Sequence, residues 1–318
     1  MASVTLVESA KLAQDELVAG VIESVVTVNK MFDVLPFDGI EGNALAYNRE
    51  NALGEVVLGT VGTTISSGSA NPITSGTDGT AAATFTQVTS TLTRIIGQAE
   101  VDNLIQSTRS GDGNDQKAVQ VASKAKHAGR VYQHMLINGT GSNDQFNGLI
   151  NLCASGQKVA TGTNGGPLSF RWMDDLLALV KDKDGVVDFI TMNVRTLNSY
   201  FELLRGLGGA SINETVTLPT GAQVPGYRGV PIFQNDYIPV NQVKGGGTDQ
   251  TTIFAGTLDE GSRQYGIAGL TSANDAGITV KEIGESETKD ESLTRVVWYC
   301  GLALFSELGL ACADGITN

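Results

Sequence analysis

Apolar residues recur at helical spacing over residues 5–26, where Leu6, Ala10, Ala13, Leu17, Val21 and Val25 share one face and Thr5 and Glu8 have capping-box spacing. An extended region with Pro36 and several glycines follows, so this helix finds its apolar partner either on its own core or on a neighbouring subunit. Residues 54–93 then change character: their only charged residues are Glu55 and Asp78, they contain no lysine, and serine and threonine dominate. Their outer parts, EVVLGTVGTTI and ATFTQVTSTLTRII, are rich in Val, Ile and Thr and predict strands, with Phe85, Gln87 and Thr89 alternating against Thr86, Val88 and Ser90. The middle, SSGSANPITSGTDGT, is turn chemistry. This pattern predicts a long two-stranded hairpin with a loose tip. A disordered linker is the alternative, although disorder favours charge and avoids Val and Ile. A lone hairpin is marginal in water, so this one needs an external surface.

A short helical piece is expected around 99–108, followed by the longest helix signal, about 114–138. Ala118, Val121 or Ala122, Ala125, Ala128, Tyr132 and Met135 form its apolar stripe. Asp112 or Asn114 would cap it, Asp115 suits the positive end of its dipole, and Gly139 is a candidate C′ residue. Its other faces carry Lys117, Lys124, Lys126 and Arg130, with His127 and His134. That basic strip is either a solvated face or a docking surface for acidic regions of another copy. Downstream, SFRWMDDLLALVKDKDG predicts a capped helix, VVDFITMN a buried strand, and VRTLNSYFELLRGLGG a second helix with Leu197, Tyr200, Phe201 and Leu204 on one face. Short strands are expected in GYRGVPIFQNDYIP and QTTIFAGTLDEGSRQYGI, and two or three more around an acidic turn in the last 43 residues.

The chain has 318 residues, 41% hydrophobic and 17% charged, with a formal net charge of −13. These are globular values, and the charge argues against a main task of gripping phosphate, which needs dense Lys and Arg. Cys153, Cys300 and Cys312 lack framework spacing and are expected as small buried hydrophobes in a reducing compartment. Glu8, Asp15 and Glu16 stand where a signal peptide would be apolar, and no run of about 20 apolar residues predicts a membrane span. A cytosolic product is the expectation.

Catalytic constellations are hard to find. The two histidines, seven apart on one helix, have the wrong spacing for a metal pair and read as surface residues. Neither GxSxG nor a phosphate-cradling GxxxxGK[ST] loop occurs. Asp182, Asp184 and Asp188 lack the register of a calcium loop and read as a helix-to-strand turn. Glu282, Glu285, Glu287, Asp290 and Glu291 cluster with Lys281 and Lys289 in a solvated turn. No catalytic, cofactor or metal residue is assigned, which moves the expectation toward structure or binding and away from an enzyme.

The order of parts carries a resemblance: an N-terminal helix and extended arm, the polar hairpin, one long helix running into INGTGSNDQFNGLINL, the helix–strand–helix centre, then GYRGVPIFQNDYIP, IFAGTLDEGSRQYGI and a strand-rich end. The chain resembles the major capsid proteins of tailed bacteriophages, with the α+β fold named after phage Hong Kong 97. The resemblance implies an N-terminal arm at 1–45, an extended loop at 46–97, a peripheral domain at 98–168 and 268–299 with the long helix as its spine, and an axial domain at 169–267 and 300–318. It implies a shell of hexamers and pentamers enclosing double-stranded DNA without sequence-specific binding, in a virion assembled in the host cytoplasm. A portal, a separate scaffolding protein and a cement protein would be its partners, with no membrane. Glu55, Asp78, Arg94, Lys117, Lys124, Lys126 and Arg130 are the candidate inter-subunit contacts. Some members crosslink through a lysine of the extended loop. With no lysine between Gly54 and Thr93, no such crosslink is expected, and with the first helix starting at Thr5 no fused scaffold is expected either. An encapsulin, a shell of the same fold housing an enzyme and usually bearing a shorter extended loop, is the alternative. An adhesin or surface-layer protein, suggested by the Thr, Ser and Gly content, is the second.

Overall fold

A computed structural model describes residues 30–109, 116–182, 185–206 and 215–317. The helix expected over 5–26, the caps Asp112 and Asn114, and Asp115 lie outside those residues. In chain order the strands and helices are β1 (Phe37–Ile40), β2 (Ala44–Ala52), β3 (Thr84–Thr91), β4 (Thr93–Asp102), α1 (Asn103–Arg109), α2 (Gln116–Asn138) and α3 (Leu149–Leu152). They continue with β5 (Gly166–Pro167), α4 (Phe170–Lys181), β6 (Phe189–Met192), α5 (Val194–Gly206), β7 (Thr215–Thr217), β8 (Gln223–Tyr227) and β9 (Val230–Gln234). The last are β10 (Gln242–Lys244), β11 (Gly247–Gly256), β12 (Ile267–Ser272), β13 (Ile278–Glu285), β14 (Glu291–Leu304) and β15 (Leu310–Thr317). The class is mixed α+β, as the sequence predicts. The described residues divide into two units, one of 95–109, 116–131 and 278–298, the other of 30–94, 132–182, 185–206, 215–277 and 299–317.

The larger unit is built on an eight-stranded sheet of order β5-β15-β11-β6-β9-β8-β7, with β10 paired to β11. All four residues of β6 are buried, so this strand reads in the sequence as an unbroken apolar run and not as an alternation. β6 and β9 run parallel, Ile190 opposite Ile232, which requires the long crossover that α5 provides. Helix α4 starts where the Ser169 hydroxyl accepts the Trp172 amide at 3.3 Å. It buries Met173, Leu176, Leu177 and Val180, whose spacing of three, one and three makes a single helical stripe. Helix α5 buries Leu197, Tyr200 and Leu204 in the same core, as its periodicity predicts, with Phe201 packed at the margin. Each aliphatic side chain so covered is worth about 1.5–3 kcal/mol. The Tyr200 hydroxyl donates to the Gly226 carbonyl at 2.9 Å, so its polar end is satisfied inside the core. Burial and the Asp174 carboxylate that its hydroxyl meets at 2.8 Å raise the neighbouring Tyr227 phenol well above its usual range.

The same unit contains β1, parallel to β12 with Phe37 opposite Gly269, and β12 antiparallel to residues 300–304 of β14. A side chain at 269 would meet the Phe37 ring at 2.7 Å, so glycine is what lets the two strands close up. The last turns of α2 belong here: Tyr132, Leu136 and Ile137 are fully buried, with the rings of Phe32, Phe37 and Phe146 at 5.5, 5.8 and 5.4 Å from that of Tyr132. Gly139 ends the helix, but by close packing and not by a left-handed backbone, since a Cβ there would lie 2.2 Å from the Phe146 carbonyl oxygen. In the smaller unit β13 pairs antiparallel with residues 292–298 of β14, and β4 also pairs with β14. The helix expected from Ala99 begins later, at Asn103. Residues 99–102 continue β4, and Asp102 caps α1 by accepting the Leu104 amide at 2.8 Å.

Candidate assembly surface

The polar segment at 54–93 supplies only the second strand of a hairpin: the first strand lies before it and not, as expected, in the Val-rich residues 55–65. β2 at Ala44–Ala52 pairs antiparallel with β3, from Ala44 opposite Thr91 to Glu50 opposite Phe85. Residues 55–65 fall in the loop beyond it. β2 alternates, and Leu45, Tyr47 and Arg49 turn to the same side. Leu45 and Tyr47, with Leu92, pack on the small core of Ile40, Ala268, Leu270, Ala303 and Phe305. The Tyr47 hydroxyl donates to the Leu304 carbonyl at 2.7 Å, and its ring meets Phe305 edge-on. The Arg49 guanidinium, 5.7 Å from the Tyr47 ring centroid, donates to the carbonyls of Leu304 and Phe305 and pairs with Glu307 at 2.7 Å. Two adjacent residues of one strand face thus tie the hairpin base to the corner between β14 and β15. Sequence reasoning missed both anchors, and the L-x-Y-x-R alternation was the signal that marked them.

Beyond the hairpin, residues 53–83 hold a shape without a core. Leu58 and Ser69 form a two-way backbone bridge at 3.2 and 2.8 Å, the Glu55 amide donates to Ala81, and the Gly68 amide to Thr77. Asn71, buried among these exposed neighbours, organises the tip: its side-chain oxygen accepts the amides of Ile73 and Thr74 at 3.0 and 2.7 Å, while its amide group donates to the Val56 carbonyl at 2.9 Å. The backbone is therefore paired locally, and the large apolar side chains are left outside. Val56, Leu58, Val61, Ile65 and Ile73 are between 56% and 107% exposed. Five large apolar side chains so exposed within the one loop at 53–83, on otherwise polar chain, point to a contact surface.

The charged candidates sit differently from one another. Glu55 folds back over Gly76, where any Cβ would collide with its carboxylate. Asp78 accepts the Thr80 hydroxyl at 2.6 Å and the Thr80 amide at 2.9 Å, and these bonds hold its carboxyl below the usual range. Arg94 is exposed on β4. In the smaller unit Lys117 pairs with Glu282 at 2.8 Å, so its charge is answered within the chain, and that bond lowers the Glu282 carboxyl. Lys124 and Lys126 are exposed, and Arg130 is half-buried. Ala118, expected on the apolar stripe, is exposed as well; of the alternatives Val121 and Ala122 the first is half-buried and the second exposed, and Ala128 is buried. The acidic turn disperses into local bonds: Asp290 accepts the Asn103 amide group at 2.6 Å, and Lys289 stands 3.7 Å from Glu291. His127 and His134 are both exposed, the second edge-on to Tyr237. Among the described residues no three His, Cys, Asp or Glu side chains are grouped so as to hold a metal ion, and no helix is long and apolar enough to cross a membrane.

Comparison with known proteins gives the family and the fold. A sequence model of the family described as type 2A encapsulin shell protein SrpI-like matches residues 116–309. No curated protein matches the chain. Among solved structures, the holo-SrpI encapsulin complex from Synechococcus elongatus PCC 7942 aligns with a TM-score of 0.71 at 20% identity, covering 99% of this chain and 96% of that one. The capsid of a native GTA particle aligns with a TM-score of 0.64 at 14% identity over 100% of both chains. Mycobacterium phage Adephagia gives 0.61 at 11% identity, over 100% of this chain and 99% of its own. The fold is therefore the Hong Kong 97 type, shared by capsids and encapsulin shells.

Proposed function

The chain belongs to the SrpI-like family, described as type 2A encapsulin shell proteins; from that premise we propose that it is the repeating subunit of a closed homo-oligomeric shell, and, on the separate grounds given below, that the shell is of phage-head type and encloses double-stranded DNA. The observation that carries the assembly part is the loop at 53–83, whose backbone is satisfied locally while its large apolar side chains face outward. Such a surface is stabilised by lying on another copy of the chain, and symmetric repetition multiplies a modest contact into a shell. Glu55, Asp78, Arg94, Lys124, Lys126 and Arg130 would then set its register, since charges at an interface contribute specificity more than affinity. Hexamers and pentamers, a portal, a scaffolding protein and a cement protein go with this reading.

The DNA cargo is supported by three features. Capsids of phages and GTA particles match over nearly the whole of both chains. The loop beyond the hairpin is long, where the resemblance associates encapsulins with a shorter one. A net charge of −13 suits a container that releases its nucleic acid. The encapsulin reading, an enzyme-loaded compartment, has the family match and the TM-score of 0.71 in its favour. The fold and family count against an adhesin or surface-layer protein.

Electron microscopy of particles made by expressing the chain in its host, with nuclease treatment before extraction, tests both parts. Shells with protected DNA are the expected result. Shells holding protein and no DNA would move the assignment to the compartment. Deleting Ser66–Thr80 should leave a folded subunit that fails to assemble normally, and wild-type assembly by that deletion would remove the loop from the argument.

A further inference from the structure

Two of the three cysteines, 159 positions apart in the chain, place their sulfurs 2.7 Å from each other in the larger unit. Cys153 ends α3, its amide donating to Leu149, and Cys312 lies in the middle of β15. The chain just after Cys153 is held alongside β15 by the Val159 amide, which donates to the Cys312 carbonyl at 2.9 Å, so the approach is fixed by backbone on both sides. Both residues are buried, whereas Cys300 is buried elsewhere on β14. Cys312 also lines a cavity of about 310 Å³, together with Ile150, Lys158, Lys244, Phe254 and Asp314. Cys312 thus borders that cavity, whereas Cys153 is not among its lining residues.

We infer that Cys153 and Cys312 are a redox-active pair, with Cys312 the entry point for a low-molecular-weight disulfide and Cys153 the resolving thiol. In the first step the Cys312 thiolate attacks one sulfur of the reagent, forming a mixed disulfide and releasing one reagent thiol. In the second, Cys153 gives up its proton and attacks the Cys312 sulfur, forming the internal bond and releasing the second reagent thiol. Two protein thiols are oxidised and one external disulfide is reduced to two thiols. The sulfurs stand 2.7 Å apart, less than about 1 Å beyond the S–S bond length of about 2.05 Å, so the internal bond needs only a small closing movement. The hydrogen bond with Cys153, with burial, keeps the Cys312 thiol protonated above its usual range. Exchange proceeds through the thiolate, so it is slow near neutral pH and quickens by about tenfold per pH unit. In a reducing compartment the pair stays as two thiols, and in an oxidising one it staples the chain after α3 to the last strand. The bond closes a loop of half the chain, which raises the unfolding temperature of the oxidised form.

The test treats native protein with hydroxyethyl disulfide at alkaline pH, then alkylates it in denaturant. The expected product has lost two hydrogens, carries a crosslink between the peptides holding Cys153 and Cys312, and is alkylated at Cys300 alone. In Cys153→Ser the reagent should stall as a mixed disulfide on Cys312, and Cys300→Ser should crosslink as wild type does. Alkylation of all three cysteines after prolonged treatment would overturn the inference. So would a stable adduct on Cys312 of the wild-type chain, because the measurement is made on unmutated protein and does not depend on a variant folding.

Discussion

Replacing Arg49 by alanine tests whether the hairpin is held at its base or only by its own ladder. The guanidinium donates to the Leu304 and Phe305 carbonyls from a side chain that is 16% exposed, and hydrogen bonds from a charged donor are worth about 1.5–3 kcal/mol each. The pair with Glu307 adds less than about 1 kcal/mol, because Glu307 is 57% exposed and its charge is screened by water. The Leu304 carbonyl retains the Tyr47 hydroxyl, whereas Phe305 loses the guanidinium donor. Since neighbouring contacts do not add fully, the loss is about 3 kcal/mol, close to a hundredfold in the population of the undocked hairpin. Once undocked, a two-stranded hairpin is marginal, so the amides of β2 and β3 should exchange with solvent deuterium about a hundredfold faster in the unassembled subunit. Amides of β6 and β11 should keep wild-type protection, and sedimentation should show fewer shells. Arg49→Lys, which keeps the charge and loses the fork, should recover part of the protection. Unchanged exchange in β2 and β3 of Arg49→Ala would show that the base contacts do not hold the hairpin, and the anchoring argument would fail.

Three further outcomes follow from particular contacts. Leu177→Ala removes a side chain 1% exposed between α4 and the large sheet, and should cost about 3 kcal/mol and lower the unfolding midpoint by roughly 10 °C, measured by calorimetry. Asn71→Ala deletes the group that closes the loop tip without touching a core, so limited proteolysis within 54–83 should quicken while the unfolding midpoint stays put. Asp78 has its folded-state value depressed by the Thr80 hydrogen bonds, so its contribution to loop order is present above the ordinary value of 3.8 and is lost as pH falls through the lower, folded value. Carboxyl chemical shifts across that acid range should show it, and a titration centred at or above 3.8 would contradict it.

The larger unit was legible because its elements bury what their sequence repeats. α4 and α5 carry apolar residues at helical spacing, and β6 is an unbroken apolar run with both faces covered. The hairpin misled for the opposite reason. Strand propensity chiefly measures how a side chain fits a half-buried pleated face, and Val56, Val61 and Ile65 are exposed and lie in no strand among the described residues. β2 lies in the stretch read only as extended chain: its polar face is exposed, and its other face needs only Leu45, Tyr47 and Arg49 to anchor it. At Gly139 the sequence showed a helix end but not its cause, because the crowding comes from Phe146 and Gly148, seven and nine residues on. The contact candidates were chosen for charge, and charge alone could not reveal that Lys117 is already answered by Glu282 or that Glu55 folds over Gly76.

On the proposed reading, the two kinds of contact residue do different work. Covering Val56, Leu58, Val61, Ile65 and Ile73, all more than half exposed, offers up to about 1.5–3 kcal/mol for each side chain fully buried. Even partial burial of five such residues yields several kcal/mol per subunit, before the cost of association is subtracted. The scarcity of charge in the loop keeps that gain from being spent on desolvating ions, which costs several kcal/mol per buried charge. Exposed lysines such as Lys124 and Lys126 add about 0–1 kcal/mol apiece as surface pairs and weaken with salt. Assembly driven by the loop should therefore persist at high ionic strength, whereas assembly driven by the basic helix face should fall away. Light scattering of assembling subunits across a salt series separates the two, and a steep loss of shells with added salt would transfer the main role from the loop to the helix.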